Sequence, residues 1–302
     1  MLYQLSYTPA GCAGLYRQGL LMASGLRQAT GSISSASLRK MHAPTPQIIP
    51  PDILLLAYRA GMFPMADARD DDEVFWVEPK RRAILPLEGF HCSRSLAKVL
   101  RSDRFRVTLD GDFGAVIDAC AAPRPGHPVT WISGRIEASY RNLHRLGHAH
   151  SIECWLGEEL VGGLYGVAFD RVFCGESMFS RTDNASKVAL AWLVALMRRA
   201  GFKVLDCQFV TEHLASLGAV EISRSHYLEM LSDAARSQPR MSLAEAYVSM
   251  AGSADSGVGA GVAGAVGAAD ARGLGAASSP SPDATASSSP GKRIAQSFTH
   301  TS

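Results

Sequence analysis

Apolar and polar positions along this chain follow two rhythms, and each predicts its own kind of element. Apolar residues three and four apart predict helices over residues 52–60, with Gly61 as the C-terminal stop, and over 93–101, with Ser93 as the cap. The same spacing recurs at Phe113, Val116, Ile117 and Cys120, and again at Ile136, Tyr140 and Leu143. Strict alternation at Phe105, Val107 and Leu109 predicts a strand. Residues 151–156, 160–168 and 172–175 read as three successive strands. Residues 185–200 form the longest helical pattern, closed by Gly201, and 204–207 read as a short buried strand. Helices near His213 and Tyr227 complete the pattern. Helices mixed with a run of antiparallel strands place the chain in the α+β class rather than among doubly wound sheets. No internal repeat is present.

The two ends break this pattern. No Asp or Glu precedes Asp52, while Arg17, Arg27, Arg39 and Lys40 are scattered among Ser and Gly. Residues 1–41 therefore read as an extension: either a transit peptide or the product of a misassigned start, with Met41 the true one. Residues 251–291 are dominated by Ala, Gly, Ser and Pro and carry no aromatic side chain. Such a stretch buries too little apolar surface to offset its ordering entropy and is expected to be disordered. Residues 241–302 are taken as a tail whose last ten or so positions regain ordinary composition and can dock back. Removal of both ends, leaving residues 41–240, is expected to leave a folded and active core.

Composition narrows the picture. With 302 residues, 47% of them hydrophobic, the chain can build a large core. The net charge of +2 announces no bulk nucleic-acid field, so any basic surface must be local. Cys12, Cys92, Cys120, Cys154, Cys174 and Cys207 show neither C-x-x-C nor zinc spacing, which suits free thiols in a reducing compartment, the cytoplasm. No apolar run is long enough to span a bilayer.

The common catalytic signatures are missing: there is no P-loop and no G-x-G-x-x-G after a strand. Gly175-Glu176-Ser177-Met178-Phe179 starts like a nucleophile elbow, but Phe179 stands where the tight turn needs Gly. His144, His148 and His150 run from a helix end into a strand, which scatters them rather than building a metal site. Two clusters carry more. Arg94, Lys98 and Arg101 share a helix face, following Lys80, Arg81 and Arg82, and such a face can track RNA phosphates or be an ordinary solvated surface. Asp206 and Gln208, two apart on a strand, can form a carboxylate–amide pair or can simply cap the strand end.

Together with their neighbours, these residues resemble the leucyl/phenylalanyl-tRNA–protein transferase family. The resemblance rests on Ala57-Tyr58-Arg59-Ala60-Gly61-Met62-Phe63-Pro64, Leu146-Gly147-His148-Ala149-His150-Ser151, Leu160-Val161-Gly162-Gly163-Leu164-Tyr165-Gly166-Val167 and Phe173-Cys174-Gly175-Glu176-Ser177-Met178-Phe179-Ser180. Asn184-Ala185-Ser186-Lys187, Asp206-Cys207-Gln208 and His213-Leu214-Ala215-Ser216-Leu217-Gly218-Ala219 follow in the same order. It implies a small N-terminal domain (42–82) and a catalytic domain (83–240) resembling the N-acetyltransferase, or GNAT-like, fold. It also implies transfer of Leu or Phe, with Met a third option, from aminoacyl-tRNA to proteins beginning with Arg or Lys. That transfer marks them for N-end-rule degradation, by a monomer with no metal, nucleotide cofactor or membrane.

By the same resemblance, Trp131, Leu164 and Phe173 wall the pocket for the transferred side chain. Glu176 lies near the acceptor's basic residue, Asp206 and Gln208 form the catalytic pair, and Arg94, Lys98 and Arg101 meet the tRNA. Ala97 and Ser102 depart from the basic pattern. Met65 stands where many members carry a Trp suited to the terminal adenine. The reaction is aminolysis of an ester and needs no ATP; on this reading the Gln208 carbonyl accepts a hydrogen bond from the attacking amine and Asp206 orients the Gln208 amide. An acyl-CoA-dependent N-acetyltransferase would need a pyrophosphate loop, for which residues 198–203 are a poor match. A non-catalytic RNA-binding module is the other alternative, and turnover of charged tRNA separates the two.

Overall fold

The computed structural model describes residues 48–71, 73–123, 129–252 and 289–299. The N-terminal extension, Cys12 and the Ala/Gly/Ser/Pro stretch 253–288 lie outside the described residues. A first helix, α1 (Pro51–Arg59), starts on a proline, whose missing N–H costs nothing in a first turn. It ends before Gly61, which holds φ +78°. Strands β1 (Phe63–Met65) and β2 (Phe75–Val77) then form a small antiparallel hairpin.

The main sheet has seven strands. They are β3 (Arg81–Ile84), β4 (Arg106–Leu109), β5 (Ala149–Leu156), β6 (Glu159–Phe169), β7 (Val172–Ser180), β8 (Val204–Gln208) and β9 (Val220–Ser223), in the spatial order β4-β5-β6-β7-β8-β3-β9. All neighbours are antiparallel except β7 and β8. Those two are joined by α5 (Ala185–Ala200), the helical crossover that a parallel pair requires. The intervening helices are α2 (Arg94–Arg101), α3 (Phe113–Ala121), α4 (Gly134–Arg145), α6 (Glu212–Ala215), α7 (Arg224–Ala234), α8 (Leu243–Ala251) and α9 (Pro290–Gln296). Ser93, Asp112 and Ser133 cap α2, α3 and α4 by accepting backbone N–H groups of the first turn.

The sheet separates two hydrophobic clusters. On one face, Leu164, Phe173 and Met178 pack with α5, α2, α8 and α9. On the other, Tyr165, Val167 and Cys174 pack with α1, α3, α4 and α7. Thirteen of the sixteen residues of α5 are buried, because layers cover it from both sides. Its first turn sits hard against β6: a Cβ on Gly162 would lie 2.5 Å from that of Ala185.

Two expectations change. β7 extends through Ser180 rather than ending at Gly175, so Gly175-Glu176-Ser177 lies within a strand. The proposed tail, 241–302, contains α8, which belongs to the core, and α9, in the positions expected to dock back. Ser242 and Glu245 form a capping box at the start of α8, Leu243, Ala246 and Tyr247 are buried, and the Tyr247 hydroxyl donates to the Val107 carbonyl at 2.9 Å. Ile294 and Ala295 of α9 are buried as well, and Phe298 meets Phe90 with ring centroids 4.8 Å apart. Composition misses α8 because its apolar positions fall between a polar loop and the Ala/Gly/Ser/Pro stretch. No helix among the described residues is long and apolar enough to cross a membrane.

Candidate active site

Strands β7 and β8 pair from Val172–Val204 to Cys174–Asp206, and the ladder stops short of Glu176 and Gln208. Glu176 sits where the β6–β7 register shifts, between the Gly166–Gly175 and Tyr165–Ser177 pairs. This bulge turns its carboxylate toward β8. The Gln208 side-chain amide donates to Glu176 Oε1 at 3.1 Å. Tyr58 of α1 donates to the same oxygen at 2.7 Å, and Tyr140 of α4 donates to Oε2 at 3.0 Å. The two tyrosine hydroxyls lie 2.5 Å apart. Burial raises the Glu176 carboxyl to about 7, while hydrogen bonds from Tyr58, Tyr140 and Gln208 pull the other way.

A second buried cluster lies beside the first. Arg82 of β3 grips Asp206 with two parallel bonds, Nε to Oδ1 at 2.8 Å and Nη2 to Oδ2 at 2.5 Å. Tyr227 of α7 donates to Oδ2 at 2.9 Å, and the Gln208 backbone N–H donates to Oδ1 at 2.9 Å. Asp206 is fully buried and Arg82 nearly so. Gln208 holds φ +63°, an uncommon conformation for a residue with a side chain, with a strain cost of about 1–3 kcal/mol.

These contacts revise the carboxylate–amide pair. Asp206 binds the backbone of Gln208, and Glu176 holds its side chain. With Glu176 ionised, the amide nitrogen faces it and the carbonyl oxygen is left to accept from elsewhere. Strand alternation alone would place the Asp206 and Gln208 side chains together, but the bend at Gln208 sends them to different partners.

The walls expected for one apolar pocket do not meet. Trp131 packs in the α1–α3–α4 cluster, whereas Leu164 and Phe173 lie on the α5 face of the sheet. Met65 is buried in β1, opposite the half-exposed Phe75. A separate cleft of about 490 Å³, lined in part by Arg69, Asp118 and Thr130, includes neither Glu176 nor Gln208. Arg94, Lys98 and Arg101 are exposed along α2 and have no ion-pair partner among the described residues. His144 and His150 are engaged locally, with the Ala149 carbonyl at 2.8 Å and Asp110 at 2.7 Å. Cys92, Cys154, Cys174 and Cys207 are free.

Sequence reasoning misses Tyr58, Tyr140, Tyr227 and the role of Arg82. The tyrosines stand at apolar helical positions and look like plain core. A hydroxyl that deep usually finds a partner, and this is the available signal. Arg82 sits in sequence among the basic residues Lys80 and Arg81, which hides its separate use.

Comparison with known proteins places the chain in a family. The leucyl/phenylalanyl-tRNA protein transferase family matches residues 84–232, and its N-terminal domain matches residues 48–80. A leucyl/phenylalanyl-tRNA–protein transferase of Novosphingobium aromaticivorans is 63% identical over 259 residues, covering 85% of this chain and 98% of the relative. Proteins of the same name from Zymomonas mobilis and Rhizorhabdus wittichii are 61% and 63% identical, over 63% and 61% of this chain and 71% and 74% of the relatives. A solved structure, L-PGS from Bacillus licheniformis, overlaps 55% of each chain at 12% identity with a TM-score of 0.30, too loose a likeness to bear on the fold. By the extent of both matches, the chain belongs to the leucyl/phenylalanyl-tRNA–protein transferase family, the aminoacyltransferases that use Leu- and Phe-tRNA.

Proposed function

We propose that this protein transfers Leu or Phe from charged tRNA to the α-amine of proteins beginning with Arg or Lys, and that Gln208 and Glu176 form the centre of the site. The observation carrying this reading is the buried Gln208–Glu176 hydrogen bond at the parting of β7 and β8. An α-amine titrates near ~7.7–8.0, so a useful fraction is already neutral near pH 7.5 and positioning matters more than a strong base. With its nitrogen committed to Glu176, Gln208 offers its carbonyl oxygen to that amine. The amine attacks the aminoacyl ester carbon, the C–O bond to the ribose breaks, and the ribose oxygen takes the proton the nitrogen loses. Glu176 also supplies negative potential that favours a cationic acceptor. Asp206 keeps the Gln208 backbone in place.

The remaining assignments follow the same reading. Arg94, Lys98 and Arg101 contact tRNA phosphates, Met65 lies toward the terminal adenine, and Trp131 belongs to the pocket for the transferred side chain, with Leu164 and Phe173 backing the strands from the other face of the sheet. The larger unit is GNAT-like, a reading supported by the parallel β7–β8 pair that parts after three residue pairs and by the α5 crossover. The protein works as a cytoplasmic monomer, without metal or nucleotide cofactor, in N-end-rule marking. Incubation of radiolabelled Leu- or Phe-tRNA with a protein beginning with Arg tests the reading directly. Label is expected in the Arg-led protein and not in a matched protein beginning with Gly; equal labelling of both would refute the acceptor assignment.

A further inference from the structure

We infer that Arg82 is a positioning residue for the transfer: through Asp206 it holds Gln208 in the bent backbone conformation that aims the Gln208 amide at Glu176. The inference rests on the proposed role of Gln208.

Three observations carry it. First, every nitrogen of the guanidinium donates a hydrogen bond. Besides its two bonds to Asp206, Nη1 donates to the Gly61 carbonyl at 3.2 Å, and the group lies between the rings of Phe63 and Tyr227, 4.8 and 4.7 Å from their centroids. One side chain thus ties together the turn after α1, strands β3 and β8, and helix α7. Second, Asp206 has no capacity to spare. Oδ1 accepts from Arg82 Nε and the Gln208 N–H; Oδ2 accepts from Arg82 Nη2 and Tyr227. The carboxylate is held by Arg82 on one side and holds the Gln208 backbone on the other.

Third, that backbone needs holding. Gln208 has φ +63°, and the Phe209 N–H donates across it to the Cys207 carbonyl at 2.7 Å. A positive φ inside such a three-residue bond is a γ-turn of the strained hand. Relaxation to an ordinary φ would swing the side chain away from Glu176. The bend persists only while the surroundings over-determine it, and the Arg82–Asp206 pair is the rigid part of those surroundings.

The test is a pair of mutant cycles on the full chain. Arg82→Lys keeps the charge and loses the two-pronged grip. It is expected to lower kcat at least tenfold while KM for Phe-tRNA stays within twofold, and to add little further loss in a Gln208→Ala background. Circular dichroism and thermal melting establish that each variant is folded. An unchanged kcat in folded Arg82→Lys overturns the inference, as does an equal further loss in the Gln208→Ala background, which would mean Arg82 acts independently of Gln208. If Arg82→Lys does not fold, Tyr227→Phe, which removes one donor from Asp206, decides by the same comparison. Its expected effect is a severalfold loss that vanishes beside Gln208→Ala. Normal transfer by Gln208→Ala alone would instead sink the reading of Gln208, and the inference with it.

Discussion

Glu176 is a carboxyl group whose surroundings bring its titration close to neutral pH. Burial lifts it from 4.5 to about 7. The folded state therefore binds its proton more tightly than the unfolded chain does. Between about pH 4.5 and pH 7 the folded state holds the extra proton, so this group's contribution makes stability fall as pH rises through that window and level off above it. Urea unfolding of the wild type and of Glu176→Gln at pH 5 and pH 8 checks this. The wild type is expected to lose stability relative to the variant on going to pH 8; parallel curves would show that Glu176 titrates normally. Tyr58→Phe removes a hydrogen bond that lowers the same carboxyl, so the transition is expected to move upward from about 7 in that variant. A pH titration of its unfolding free energy reads the midpoint, and a downward move would assign the wrong sign to that bond.

At the level of elements, α8 and α9 change what counts as the minimal protein. On composition alone, truncation after Arg240 looks harmless. It would remove Leu243, Ala246, Tyr247 and Ile294, all buried against α5 or its neighbours, and uncover apolar surface there. Loss of cooperative thermal unfolding is the expected result, and a normal melting curve for residues 41–240 would show α8 and α9 to be dispensable. A milder version is Tyr247→Ala, which deletes a core ring and its bond to Val107 at an expected cost of about 3–5 kcal/mol by urea unfolding. The elements that the sequence announces well are those with strong local signals. The capped helices α2, α3 and α4 and the period-two run of β4 fall close to their expected bounds. The β1–β2 hairpin, β3 and β9 escape a reading by pattern, because strands of three or four residues are too short for a period to register.

Across the whole molecule, α2 presents Arg94, Lys98 and Arg101 to solvent while its Leu96 and Leu100 face the core. With a net charge of only +2, this stripe must supply local attraction that the overall field does not. Reversing all three charges is expected to weaken binding of Phe-tRNA. It should also flatten the dependence of log Kd on log salt by roughly 0.7–0.9 for each phosphate no longer neutralised. Filter binding across a salt series measures it, and an unchanged slope would return the stripe to an ordinary solvated face. Transfer chemistry at saturating tRNA should be unaffected, because the stripe lies outside the Glu176–Gln208 and Arg82–Asp206 clusters.

What the linear sequence determined by itself is what neighbouring residues decide among themselves. Caps, periodicity and the family's ordered motifs were all legible, and so were the identities of Glu176, Asp206 and Gln208 as residues of interest. Only the tertiary structure decided how these residues are used. Arg81 and Arg82 are adjacent and chemically alike, yet the Arg81 side chain is 58% exposed and pairs with Glu221, while Arg82 is 1% exposed and pairs with Asp206. The alternation of β3 sends them to opposite sides, and which side is interior depends on the packing of α7, more than a hundred residues away. Likewise, no local rule links Tyr58, Tyr140 and Glu176, which come from α1, α4 and β7. A buried polar group is stable only with its partners in place, and those partners are set by how the sheet and helices pack, which residue spacing along the chain does not encode.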